Sequence, residues 1–192
     1  VKVFSLLFAI GAFAFPSRSD AEVHRYLYCA SPDAAQVDGI SGKGLLVFDI
    51  DNGHKFVKRI EIPIFKEGLR GLTGSTTSKR LYYSTTNRRL GCFDLESEKV
   101  VWDKQFPGGC DRTCVTTDGK TLYAPTGFWY NAADSGLLVI DAETGDLKKR
   151  VAVGPQAHNT IASLDGKFIY LGTATTLTQL DAASGEILKT IS

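Results

Sequence analysis

Few residues in this chain have the types and spacing that chemistry requires. Arg70 stands before Gly71, Asp111 before Arg112, and His158 before Asn159. Phe128, Trp129 and Tyr130 stand in a row, and Cys110 and Cys114 flank the Asp-Arg-Thr stretch. Guanidinium groups take carboxylates and phosphates in a fixed fork. An imidazole near acids can move a proton. Adjacent aromatics offer apolar area with a polar handle. The two cysteines read either as a bridge stapling one loop or as free thiols buried in strands. No CxxC pair or His-x-x-His accompanies them, so no zinc site is expected. There is no G-x-S-x-G elbow and no phosphate-cradling glycine loop. No catalytic residue, metal ligand or cofactor is therefore assigned.

What must position these groups is a repeat. "DGKFIYLGT" (165–173) has a sister in "DGKTLYAPT" (118–126), a looser copy in "TSKRLYYST" (77–85) and a fourth in "HRYLYCAS" (24–31). The recurring tyrosines are Tyr28, Tyr82, Tyr123 and Tyr170. A second anchor follows each: "LLVFDIDNG", "LGCFDLESE", "LLVIDAETG" and "LTQLDAASG", built on Asp49, Asp94, Asp141 and Asp181. Glycine stands four residues after three of these aspartates, at Gly53, Gly145 and Gly185, and Glu98 takes that place in the other.

Each unit reads as short strands with alternating, β-branched or aromatic residues, separated by Asp-Gly and Asp-x-x-x-Gly turns. No amphipathic helix stands out after residue 21. Four strands in a period of about 40–45 residues is the pattern of a β-propeller blade. The expected fold is all-β, with about four four-stranded blades over 25–62, 70–106, 112–153 and 159–192. The first blade lacks its strand A, and the set is expected to belong to a larger ring.

Residues 1–21, "VKVFSLLFAIGAFAFPSRSDA", have one Lys, an apolar run from Val3 to Phe15 and small residues at Ser19 and Ala21. This predicts a cleaved secretory signal peptide. The alternative is an anchor, for which the apolar run is short against about 30 Å of hydrocarbon. Residues 22–192 are then the propeller domain, secreted or periplasmic. The net charge of +1 gives no broad basic face for nucleic acid and no stable membrane insertion is expected.

The units resemble the YVTN-type β-propeller repeat of secreted and periplasmic seven-bladed, lactonase-like proteins. The resemblance rests on "SLDGKFIYLGT", "TTDGKTLYAPT", "GLLVIDAETGDLKKRVAVG" and "TLTQLDAASGEILKTI". It covers residues 25–192 and implies the fold more than any function. "DLESEKVVW" is similar to the repeat of quinoprotein (PQQ) dehydrogenase propellers; that blade alone has the Trp, at Trp102.

Aligned on the tyrosines, Arg70, Asp111 and His158 fall at one register, followed by Gly71, Arg112 and Asn159. In a propeller this register opens the innermost strand, where it meets the central channel. Arg70, Asp111, Arg112, His158 and Asn159 should therefore surround one axial mouth. The long loops 31–44 and 125–136 should lie on the same face, with Phe128, Trp129 and Tyr130 overhanging it or plugging blade three. The expected function is a scaffold that binds a small molecule or a protein at this mouth. The alternative is an enzyme of lactonase or PQQ-dependent dehydrogenase type using the same mouth.

Overall fold

The structure is a computed structural model and describes residues 23–30, 44–62, 68–128 and 135–192. Residues 1–21, Trp129, Tyr130 and most of the two long loops lie outside the described residues. The described residues form strands and turns and contain no helix.

The strands fall into four antiparallel meanders in chain order. Blade one is three-stranded: β1 (Tyr26–Ala30), β2 (Leu45–Asp49) and β3 (Lys55–Ile60). Blade two comprises β4 (Leu69–Ser75), β5 (Arg80–Thr85), β6 (Arg89–Asp94) and β7 (Lys99–Gln105). Blade three comprises β8 (Cys114–Val115), β9 (Thr121–Thr126), β10 (Gly136–Asp141) and β11 (Leu147–Val151). Blade four comprises β12 (Thr160–Ala162), β13 (Phe168–Gly172), β14 (Leu177–Asp181) and β15 (Ile187–Ile191). Blade one thus starts at the second strand of the others, as the sequence predicts.

The core consists of three layers, each between neighbouring blades. Leu45, Val47 and Ile60 of blade one meet Leu81, Tyr83 and Phe93 of blade two. Tyr82, Cys92 and Trp102 of blade two meet Leu122, Leu138 and Ile140 of blade three. Tyr123, Leu137 and Val139 of blade three meet Ile169, Leu171 and Leu180 of blade four. Successive strand residues point to opposite faces. Neighbours such as Leu122 and Tyr123 therefore serve different layers, and the apolar runs of the inner blades are continuous rather than alternating.

The repeated aspartates close the turn between the last two strands of each blade. Oδ1 of Asp49, Asp94, Asp141 and Asp181 accepts the backbone N–H groups two and three residues on. The residue after that must enter the left-handed region. Gly145 does so at φ 74°, and Glu98 does so at φ 54°. Glu98 is a costly choice for this backbone, but it pairs with Lys58 of the preceding blade.

Tyr82 and Tyr123 are buried, as their register predicts. Tyr170 is not: it is half-buried, because no described residue packs over that face of blade four. Cys110 and Cys114 are free thiols in different layers, Cys110 toward blade two and Cys114 toward blade four.

Candidate functional site at the axial mouth

Strand pairing brings the start of each innermost strand beside the end of the second strand. The Asp111 N–H donates to the Pro125 carbonyl at 3.0 Å, and the His158 N–H to the Gly172 carbonyl at 3.0 Å. Both therefore sit at one end of the blades, and the 118–119 and 165–166 turns sit at the other. Between blades, Arg112 and Asn159 form an isolated parallel bridge, and the Thr160 hydroxyl donates to the Arg112 carbonyl at 2.7 Å. These bonds hold the innermost segments of blades three and four side by side.

Asp111 is the centre of the site and is 3 % exposed. Its Oδ2 pairs with Nδ1 of His158 from blade four. Its Oδ1 stands 3.7 Å from Nε of Arg70 from blade two. A buried carboxylate persists when opposite charge and hydrogen bonds compensate its desolvation. Here three successive blades meet on one group. The Asp111 carbonyl accepts the hydroxyls of Ser84 at 3.0 Å and Thr113 at 3.1 Å, which fixes the backbone beneath it.

His158 is held on three sides. Nδ1 meets Asp111, Nε2 meets a guanidinium nitrogen of Arg112, and the ring stacks on Phe128 at 4.2 Å between centroids. Arg112 has only N–H donors, so Nε2 is the acceptor and Nδ1 carries the proton to Asp111. Arg112 also reaches Asn159 Oδ1 at 3.4 Å. It is exposed, and no carboxylate among the described residues pairs with it.

A cavity of about 460 Å³ runs along the innermost strands. Arg70, Thr73, Arg112, Thr113 and Thr160 line it, and no carboxylate does. A second cavity, of about 10 Å³, lies between Arg70, Asp111, Thr126 and Phe128. That is the size of one water, and Arg70, Asp111 and Thr126 offer it polar partners.

The structure thus brings together Arg70, Asp111, Arg112, His158, Asn159 and Phe128. Trp129 and Tyr130 lie outside the described residues. The sequence reading missed the supporting groups. Gly71 lets the β4 backbone approach, since a Cβ there would stand 3.0 Å from the Arg112 Cα. Ser84 and Thr126 are polar residues at the buried ends of otherwise apolar second strands; that contrast was the available signal. No cluster of His, Cys, Asp or Glu among the described residues could hold a metal ion.

Residues 42–191 match the family model PQQ_2, described as outer membrane protein assembly factor BamB. The chain belongs to this family. The match supports a β-propeller repeat protein and does not reach the YVTN type. No curated protein matches the BamB-type chain. Among solved structures it is similar to Kuenenia stuttgartiensis hydrazine synthase, with a TM-score of 0.63 at 17% identity, covering 84% of this chain and 47% of that one. It is also similar to BamB from Moraxella catarrhalis, with a TM-score of 0.57 at 12% identity, covering 88% of this chain and 52% of that one. At such identities these likenesses show the propeller fold. The chain spans about half the length of both.

Proposed function

We propose that the chain is a binding scaffold of the cell envelope that takes an acidic segment of a partner protein at the axial mouth. The carrying observation is Arg112. It is a surface guanidinium with no acid paired to it among the described residues, supported from below by the His158–Phe128 stack. Desolvated carboxylates are recognised by such forks. The adjoining cavity brings Arg70 and three threonines and no competing carboxylate. The family description, an outer membrane assembly factor, supports a protein partner and an envelope location. The apolar run in residues 1–21 supports export. No helix among the described residues is long and apolar enough to cross a membrane.

A second reading, an enzyme at the same mouth, draws on the Asp111–His158 pair, which resembles an oriented general base. Its weakness is that Nε2, the atom that would take the proton, is engaged by Arg112.

Site-specific photocrosslinking in intact cells separates a binding mouth from inert loops. A photoreactive residue at Asn159 should trap a defined protein, and one at Asp165, at the opposite end, should not. Equal products from both positions, or none from Asn159, would overturn the proposal.

A further inference from the structure

Asp111 has two carboxylate oxygens, and His158 takes one of them, Oδ2. The other, Oδ1, is buried and accepts no hydrogen bond among the described residues. Nε of Arg70 stands 3.7 Å from it. That is beyond the roughly 2.7–3.2 Å of a direct N–H···O bond.

Thr126 ends β9 and is 2% exposed. Its Oγ1 is also buried without a hydrogen-bond partner among the described residues. The repeat gives Thr126 two sisters. Thr85 and Thr173 stand three residues after Tyr82 and Tyr170, as Thr126 does after Tyr123. Each sister hydroxyl closes the short turn to the next strand: Thr85 Oγ1 accepts the Arg89 N–H at 3.4 Å, and Thr173 Oγ1 the Thr176 N–H at 3.1 Å. In blade three a longer connection replaces that turn, and the hydroxyl is left for another use.

Buried polar groups are nearly always satisfied, so each exception asks for a cause. Here two exceptions share one place. Asp111 and Thr126 both line the cavity of about 10 Å³, and Arg70 lines it with them. The charges select its occupant. An anion would face the Asp111 carboxylate, and a cation would face the Arg70 guanidinium. A neutral molecule that both donates and accepts meets neither obstacle. The volume admits one water and nothing larger. A carboxylate only accepts, a guanidinium only donates, and a hydroxyl does both. One water can therefore donate to Asp111 Oδ1, accept from Arg70 Nε and bond Thr126 Oγ1 in either sense. A polar pair held just beyond hydrogen-bond distance has room for such a bridge.

We propose that one resident water binds between Asp111, Thr126 and Arg70 as a fixed part of the axial centre. It satisfies the second oxygen of Asp111 and links blade three to blade two. It also steadies Arg70, which lines the larger cavity as well. Thr126 is then a positioning residue for Arg70, acting through the water. The site is the same whatever the mouth binds.

The test is oxygen-17 relaxation dispersion of the full chain, which counts slowly exchanging internal waters, with Thr126→Ser and Thr126→Val alongside. Serine keeps the hydroxyl, and valine replaces it with a methyl of nearly the same shape. The count should be equal in the unaltered chain and Thr126→Ser, and lower by about one water in Thr126→Val. Solvent exchange of the Arg70 Nε–H, followed by nuclear magnetic resonance, should quicken in Thr126→Val and not in Thr126→Ser. A high-resolution crystal structure of the unaltered chain keeps the question open to decision even where Thr126→Val fails to fold. It should show a water within about 3.2 Å of both Asp111 Oδ1 and Thr126 Oγ1. An empty cavity, a metal or halide ion in it, or an undiminished count in Thr126→Val would overturn the proposal.

Discussion

The indole of Trp102 closes over Gly145: a Cβ on that glycine would stand 2.7 Å from the ring carbons, and Nε1 donates to the Ala142 carbonyl at 3.2 Å. The contact ties blade two to the turn of blade three. Tyr123 makes the corresponding contact with blade four through Ala182 and Gly185.

Trp102→Ala should cost about 3–5 kcal/mol, the range for truncating a buried large aromatic. Gly145→Ala should cost more than the roughly 1–2 kcal/mol of a left-handed alanine, because its methyl also displaces the indole. Urea denaturation of both variants checks this. An unchanged midpoint for Gly145→Ala would contradict the contact.

Tyr123→Phe should cost about 0.5–1.5 kcal/mol, the usual net value of one hydrogen bond. Tyr123→Ala should cost about 3–5 kcal/mol. Thermal melts of the two variants would separate the hydroxyl from the ring; equal losses would mean that the hydroxyl bond dominates.

The cysteines should differ in reactivity. Burial pushes the Cys92 and Cys114 thiols up to about 11 and Cys110 higher still, while Cys29 is half-buried. The thiolate is the reactive form. At pH 8 an aromatic disulfide reagent should modify Cys29 first, and the other three only after urea is added. Prompt reaction at Cys110 would show that its layer opens.

Acid should loosen the turns. The Lys148 ammonium and the turn N–H groups hold the Asp141 carboxyl down at about 2. Turn hydrogen bonds also hold Asp94, Asp118, Asp165 and Asp181 below the usual carboxylate range. A depressed carboxylate adds stability above its unfolded value, and that stability is lost as pH falls through the folded value. The urea midpoint should therefore drop between about pH 4 and pH 2. A midpoint that rises over that window would contradict the turn geometry.

Much of the fold was legible because a blade repeats its sequence. The tyrosine and aspartate anchors placed all four sheets, and the missing first strand of blade one followed from the same register. The convergence of Arg70, Asp111 and His158 was legible for that reason too: equal register means equal height on the innermost strands. What escaped depended on neighbours. Tyr170 has the register of Tyr123 but no blade over it among the described residues, and register alone does not report that. Trp102 stood as a single residue against four tyrosines, and its fit on Gly145 depends on the turn of the next blade. Ser84 holds Asp111 through its backbone carbonyl, a contact between blades that no local pattern encodes.

The binding reading stands or falls on Arg112. It is the proper residue to change, because Arg70 and His158 face the buried Asp111 and their removal strands its carboxylate, at about 3–5 kcal/mol. The decisive measurement is the affinity of the protein trapped from Asn159 for the chain with Arg112→Glu and Arg112→Lys, with melting temperatures taken alongside. The account predicts a loss of roughly 30-fold or more for Arg112→Glu, the scale of one truncated charge pair, partial retention for Arg112→Lys, and unchanged melting for both. Undiminished affinity in Arg112→Glu would contradict it.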